Sequence, residues 1–384
     1  MAVNEARDPR AAASHFQFQG EVVALEPYGN GHINDTLLVT CRTGAAPAHY
    51  ILQNINRSVF PSPAIVMQNI ERVTAHLGRQ LAGTPDGARR ALTLIPARDG
   101  KNWHVDGQGE TWRAYPFVED AHGHETATSA EQAYQAAHAF GRFQHLVSSL
   151  PAPRLHETIP DFHHTPKRFA ALERAIAADP MNRARLARPE IEFALARQSI
   201  TGVLIEANLP ERITHNDTKF NNVLLDDASG EGVCVVDLDT VMPGLVLYDF
   251  GDMVRTTTSP AEEDERDLSK VTMQFPLFEA LVRGYLDSTR AFLTAAERQF
   301  LAFSGKLITF EIGIRFLTDY LNGDTYFKIH REGHNLDRCR TQFKLVESIE
   351  QQEEKMNRLV SSVAAAADSG RCPAETDSHC TCPI

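Results

Sequence analysis

One stretch constrains this chain more than any other: "ITHNDTKFNNVLLDDASGEGVCVVDLDT", residues 213–240. It sets His215, Asp217 and Lys219 at alternate positions, places Asn222 five residues after the aspartate, and continues through a turn into an apolar run that ends at Asp237. "DDASGEG" reads as the turn between two strands, since Asp, Ser and Gly favour tight reversals. Phosphoryl transfer needs a carboxylate beside the attacking hydroxyl, oxygen ligands for magnesium and a cation near the γ-phosphate. The stretch holds a candidate for each. Asp217 would receive the hydroxyl proton, Asn222 and Asp237 would offer hard oxygens to Mg2+ from neighbouring strand ends, and Lys219 would neutralise the γ-phosphate. Asp239, two residues on and on the same strand face as Asp237, is a further candidate metal or water ligand. Caps and turns alone account poorly for His, Asp, Lys, Asn and a strand-end Asp in this order.

"YDFGD" (residues 248–252) carries a familiar metal-binding triplet but lies too far from Asp217, and Asp237 already follows the right strand. Asp249 is therefore expected to accept hydrogen bonds from backbone amides behind the catalytic loop.

A chain of 384 residues with 42% hydrophobic content exceeds one ordinary core, so two lobes are expected. "EVVALEP" and "DTLLVT", joined by "YGNGHIN", read as a hairpin whose Gly29 and Gly31 would let backbone amides approach phosphates. "HYILQNI" follows as a third strand and "SPAIVMQNIERVTAHL" as a helix; "ALTLIPA" and "TWRAYPFVE" then supply two more strands. Residues 1–118 thus form a small lobe with a five-stranded antiparallel sheet, in which Tyr115, Pro116, Phe117 and Val118 are the hinge bordering adenine. Residues 119–364 form a larger, mostly helical lobe. Ser129 and Gln132 signal the start of a helix bearing Ala133, Ala136, Phe140, Phe143 and Val147 on one face. Thr294 with Glu297 caps the longest pattern in the chain, from Phe300 to Leu321, which Asn322-Gly323 stops. Residues 365–384 lack periodicity and read as a disordered tail, whose cysteines and histidine match no metal-ligand scheme. The pairs His122/His124 and His163/His164 lack a third ligand at usable spacing and read as loop residues.

A net charge of −12 disfavours nucleic acid and anionic membranes as partners, so the partner should be small. Six cysteines are too few for a disulfide framework, and the amino terminus has no apolar run for export or anchoring. A cytoplasmic location is expected; oligomeric state has no signature here.

"HNDTKFNN", "VVDLDTVMPG", "LYDFGD" and "EIGIRFLTDYLNGDTYF", with "GNGHIND" and "ILQNIN", make the chain resemble the N-acetylhexosamine 1-kinases over roughly residues 20–360. These are a branch of the aminoglycoside phosphotransferase and choline kinase superfamily. The resemblance implies a two-lobed, protein-kinase-like α+β fold, ATP as donor with Mg2+, and phosphorylation of a sugar's anomeric hydroxyl to the sugar 1-phosphate. It implies Asp217 as base, Asp237 on magnesium, and sugar contacts around Thr240, Arg315 and Tyr326. His32 in "GHIND" is a further candidate on the substrate side of the glycine loop. In one departure from the wider kinase pattern, the lysine of the third strand is absent and "ILQNIN" offers Gln53 or Asn54. The sugar-kinase branch also has a polar, uncharged residue there, so Mg2+ and other donors must hold the α/β-phosphates.

Other readings stay open on residues alone. Glu311, Arg315 and Asp319 at i, i+4, i+8 equally suit an exposed ion-pair ladder. Tyr326 suits packing beside Phe327, and Thr240 a turn before Pro243-Gly244. The same chemistry suits an aminoglycoside, choline or amino-alcohol acceptor, although an arginine in the pocket argues against a cation. The missing lysine also admits a nucleotide-binding pseudokinase without turnover.

Overall fold

The computed structural model describes residues 8–29, 33–44 and 46–368. A short helix α1 (Pro9–Ser14), capped by the Asp8 carboxylate, precedes strands β1 (Glu21–Pro27), β2 (Asp35–Arg42), β3 (Ala48–Asn54), β4 (His104–Val105) and β5 (Thr111–Pro116). The five strands form one antiparallel sheet in the order β1-β2-β3-β5-β4. Alternation gives the sheet two unlike faces. Tyr50 and Leu52 of β3 bury against Phe16, Val39, Trp112 and Ala114 on one face. Ile51 and Tyr115 turn to the other face and join the core shared with the second lobe. Helix α2 (Pro63–Leu81) packs between the lobes through Val66, Met67, Ile70, Val73 and Leu77.

The fifth strand is not the one the sequence suggests. "ALTLIPA" forms no strand: it makes an isolated bridge between Phe16 and Ala97 and a bond from Ile95 N to Ala114 O, while His104–Val105 completes the sheet. Its buried positions Ala91, Leu92, Leu94 and Ala97 do not alternate, and Pro96 has no N–H to donate.

The second lobe runs β6 (Ala121–Gly123), α3 (Ala130–Val147), α4 (Thr165–Ala178), α5 (Arg188–Leu195), α6 (Val203–Glu206), β7 (Arg212–Thr214), β8 (Val223–Asp226), β9 (Gly232–Val235), β10 (Met242–Gly244), α7 (Val246–Thr257), α8 (Phe275–Thr289), α9 (Ala295–Gln299), α10 (Leu301–Leu321) and α11 (His334–Asp368). All five residues expected on the inner face of α3 are buried. Helix α8 crosses so close to α3 that a Cβ at Gly284 would sit 2.2 Å from Tyr134 O. The Thr294/Glu297 capping box is formed, but it starts α9 only; the chain breaks at Phe300 before α10 begins. The longest helix is α11, 35 residues, whose buried Leu336, Cys339, Phe343, Val346, Ile349, Met356 and Val360 repeat every three or four positions. It extends to Asp368, four residues into the stretch read as a disordered tail.

The fold is therefore α+β and two-lobed, a five-stranded antiparallel sheet set on a helical body. Cys41, Cys234 and Cys339 are free and buried; Cys372, Cys380 and Cys382 lie outside the described residues. Among the described residues no helix is long and apolar enough to cross a membrane.

Candidate active site

Two small strand pairs bring the candidate residues together. The chain leaves β7, passes through residues 215–222, forms the β8-β9 hairpin, passes through residues 236–241, and returns as β10 paired with β7. The candidate catalytic loop (residues 215–222) and the candidate metal turn (residues 236–241) are thus the two open ends of one closed circuit, and Val236 N bonds Asn222 O between them at 2.9 Å.

The loop is braced from behind by Asp249 of α7. Its carboxylate accepts from His215 N at 2.9 Å, Asn216 N at 2.7 Å and Gln144 Nε2 at 2.6 Å. Burial raises the Asp249 pKa, and these donors oppose the rise. His215 lies edge-on to Phe140 and Phe143, approaches Val236 O at 2.9 Å through Nε2, and receives Asp217 N at Nδ1. Thr240 donates its hydroxyl to His215 O at 2.7 Å, and Asn216 Nδ2 donates to Thr240 O at 2.9 Å, so the expected sugar contact is part of the loop's frame.

Held this way, the Asp217 carboxylate meets Lys219 Nζ at 3.0 Å. Burial pushes the Asp217 pKa up, but the Lys219 charge outweighs it and holds the group below its ordinary value. Asn222 Nδ2 donates to Asp217 O at 2.8 Å, and its amide oxygen forms no hydrogen bond among the described residues. Asp237 opens the metal turn in the left-handed region, at φ +59°, and its carboxylate accepts no hydrogen bond among the described residues. Burial, then Asp239 and Asp217, push its pKa up to about 6. A carboxylate without donors beside other carboxylates calls for a cation. The described residues include no cluster of three acidic, imidazole or thiol groups that would cage a metal. Asn222 and Asp237 could instead offer a sparse oxygen set to a magnesium ion held beside phosphates.

Asp239 departs from the expectation of a further metal ligand. Its Oδ2 accepts from Asn34 Nδ2 at 2.6 Å, and its Oδ1 is bound by Arg113 Nη1. Strand β9 ends at Val235, so alternation no longer places residues 237 and 239 on one face.

On the nucleotide side, Gly29 has φ +73°, which only glycine adopts freely; Gly31 and His32 lie outside the described residues. Gln53 donates to Thr36 Oγ1 and accepts from Arg113 Nε, both at 3.0 Å. Tyr115 is buried toward the second lobe, Pro116 ends β5, Phe117 meets Tyr28 edge-on at 5.5 Å, and Val118 packs on the shared core. This is a hinge-like crossing between the lobes.

At the far end, Arg315 of α10 stands 5.2 to 5.8 Å from the rings of Phe162, Tyr326 and Phe327, and its Nη2 reaches Tyr326 Oη at 3.5 Å. The ion-pair ladder is not formed. Glu311 is buried, accepting from Thr165 Oγ1 at 2.6 Å and meeting His163 Nδ1 at 2.7 Å. Asp319 is buried and accepts from the backbone N–H groups of Thr325, Tyr326 and Phe327, which sets the loop carrying Tyr326 beside Arg315. His163, read as a loop residue, is buried and joins the two regions, because its Nε2 meets Asn216 O at 3.1 Å. No local signal marks it: Glu311 lies 148 residues away.

The chain is similar to known proteins in family pattern and in fold. The family model for the phosphotransferase enzyme family matches residues 24–285. Among solved structures, a microcompartment-associated aminopropanol kinase is similar over 91% of this chain and 98% of that one, at 17% identity and a TM-score of 0.54. An aminoglycoside phosphotransferase from Alicyclobacillus acidocaldarius is similar over 96% and 98%, at 12% identity and 0.57. A spectinomycin phosphotransferase, solved with ADP and spectinomycin, is similar over 95% and 99%, at 11% identity and 0.55. At such identities the likeness is one of fold. With the family's pattern spanning most of the chain, this protein belongs to the phosphotransferase enzyme family.

Proposed function

We propose that this small-molecule kinase uses Mg·ATP to phosphorylate the anomeric hydroxyl of an N-acetylhexosamine, giving the sugar 1-phosphate. The observation that carries the acceptor is Arg315. The aromatic trio that would cage a cationic acceptor already faces this guanidinium, which forms no ion pair among the described residues. Arg315 and the Tyr326 hydroxyl instead offer donors suited to an acetamido carbonyl and ring hydroxyls.

Asp217 accepts the proton of the attacking hydroxyl and orients its oxygen. That oxygen bonds to the γ-phosphorus as the bond to the β–γ bridging oxygen breaks, and ADP departs. Lys219, paired with Asp217, would balance charge on the transferring group. Asn222 and Asp237 would hold a magnesium ion, which would supply countercharge to the phosphate oxygens. The chain's own contribution is positioning and preorganised charge.

A second reading keeps the chemistry and changes the acceptor to choline, an amino-alcohol or an aminoglycoside. Asp252 favours it: Arg255 Nε holds Oδ1 at 2.8 Å, while the buried Oδ2 has no partner and Glu263 lies beyond the same arginine. Such carboxylates suit an ammonium group.

Phosphorus NMR of the products from free hexoses, N-acetylhexosamines, choline, aminopropanol and aminoglycosides decides between them. An anomeric phosphate on an N-acetylhexosamine is expected. Transfer only to a cationic acceptor would discard the sugar and keep Asp217. Silence, with tight ATP binding, would point to a nucleotide-binding protein without turnover.

A further inference from the structure

In the row of the sheet that faces the metal turn, the cation stands one strand away from where kinase-like folds carry a lysine. Register pairs Thr36 of β2 with Gln53 of β3, and Gln53 with Arg113 of β5. The three side chains are linked laterally: Gln53 Nε2 donates to Thr36 Oγ1, and Arg113 Nε donates to Gln53 Oε1. Gln53 uses both ends of its amide to aim the guanidinium. A lysine at that position accepts nothing and would set a second cation against the first.

We propose that Arg113 takes the place of the missing third-strand lysine as a positioning residue, fixing the metal turn through Asp239 so that Asp237 is set for a nucleotide-bound magnesium. The inference rests on the nucleotide half of the proposed function and is independent of the acceptor.

Three observations carry it. Arg113 and Asp239 are 1% and 2% exposed, so their ion pair is buried, and a buried pair is retained only where its geometry and further hydrogen bonds compensate for lost hydration. Asn34 supplies that further bond to Asp239, and Gln53 supplies it to Arg113. The pair also crosses between lobes, linking strand β5 to a turn 126 residues later in the chain. Finally, that turn is clamped on its other side, because Thr240 donates to His215 O and accepts from Asn216 Nδ2, while Asn69 of α2 donates to Val241 O at 3.0 Å. Asp237 therefore sits in a turn held from both lobes, while its own carboxylate is left for a cation.

Such an outer partner is expected to change metal affinity by about tenfold or more. The decisive measurement is calorimetric binding of ADP to the full-length protein with and without Mg2+. Arg113→Met should lose most of the tightening that Mg2+ confers on ADP binding, about tenfold, and change metal-free binding by less than about threefold. Asp239→Asn should show the same signature, since it removes the other partner. Adding Gln53→Lys to Arg113→Met returns a cation to the same row and should recover part of the Mg2+ effect. Should Arg113→Met fail to fold, Arg113→Lys keeps the charge without the fork and should give an intermediate loss. A Mg2+ effect unchanged in the foldable variants, or an equal loss with and without the metal, overturns the proposal. Both readouts omit the acceptor, so a wrong sugar assignment leaves the test intact.

Discussion

Around Asp217, three successive backbone amides, from His215 to Asp217, each find a side-chain acceptor. Around Arg315, the polar contact is a 3.5 Å approach to Tyr326, which is 57% exposed; the remaining contacts are ring faces. The proposed reacting end is a closed hydrogen-bonded frame and the proposed acceptor end is an adjustable one. The difference suits the proposed tasks. In-line transfer loses rate with sub-ångström misplacement of the base, whereas acceptor choice depends on a few contacts that are each weak.

The comparison is broken most directly at the base. Asp217→Asn should lower turnover by about a thousandfold with ADP affinity nearly unchanged, measured by a coupled ADP-release assay and calorimetry. Comparable turnover would remove the frame's purpose. Asp249→Ala leaves two buried backbone amides and the Gln144 Nε2 group unpaired and should cost about 3 kcal/mol of unfolding free energy in denaturant titration, although Asp249 has no direct part in the proposed transfer.

Between the two regions lies the His163–Glu311 pair. Burial pushes the Glu311 pKa up, but His163 and Thr165 outweigh it and hold the group below its unfolded value of 4.5. A depressed carboxyl contributes stability that is fully present above pH 4.5 and is lost as pH falls through the lower folded value. Glu311→Gln should therefore cost roughly 2 kcal/mol near neutrality, with the gap to wild type closing below pH 4.5 in pH-dependent denaturant melts. A gap that widens in acid would contradict the pairing.

At the adjustable end, Arg315→Ala should raise the acceptor KM about tenfold to a hundredfold and leave ADP binding alone. That corresponds to losing one or two charge-assisted hydrogen bonds. Tyr326→Phe removes only a hydroxyl at an exposed position and should change KM by about threefold or less. Equal effects of Tyr326→Phe and Asp217→Asn would erase the distinction between the two ends.

Much of the reacting end is legible in order along the chain. His215, Asp217, Lys219, Asn222 and Asp237 fall within 23 residues, so spacing and residue type bring them near one another whatever the rest of the fold does. Asp249 is legible for the same reason, as a carboxylate following close behind. The misreadings have a shared cause. "ALTLIPA" has the content of a strand, but its neighbour β5 takes β4 instead. The ladder of Glu311, Arg315 and Asp319 has helical spacing, but His163, Arg315's rings and the loop at residues 325–327 each claim one member. Helix α11 shows a plain three-four stripe in the sequence and was open to reading.

By itself, then, the sequence determined the two-lobed plan, the sheet's five strands in number and the grouping of the residues 213–240 from which the proposed chemistry is read. Those depend on composition, local periodicity and short-range spacing. Only the tertiary structure decided that Asp239 pairs with Arg113, that Gln53 bonds Arg113, and that His163 ties α10 to the loop at residues 215–222. Each of those is a pairing of buried or half-buried polar groups across 53 to 148 residues. Burial obliges such groups to find partners, and which partner they find is set by how the lobes pack.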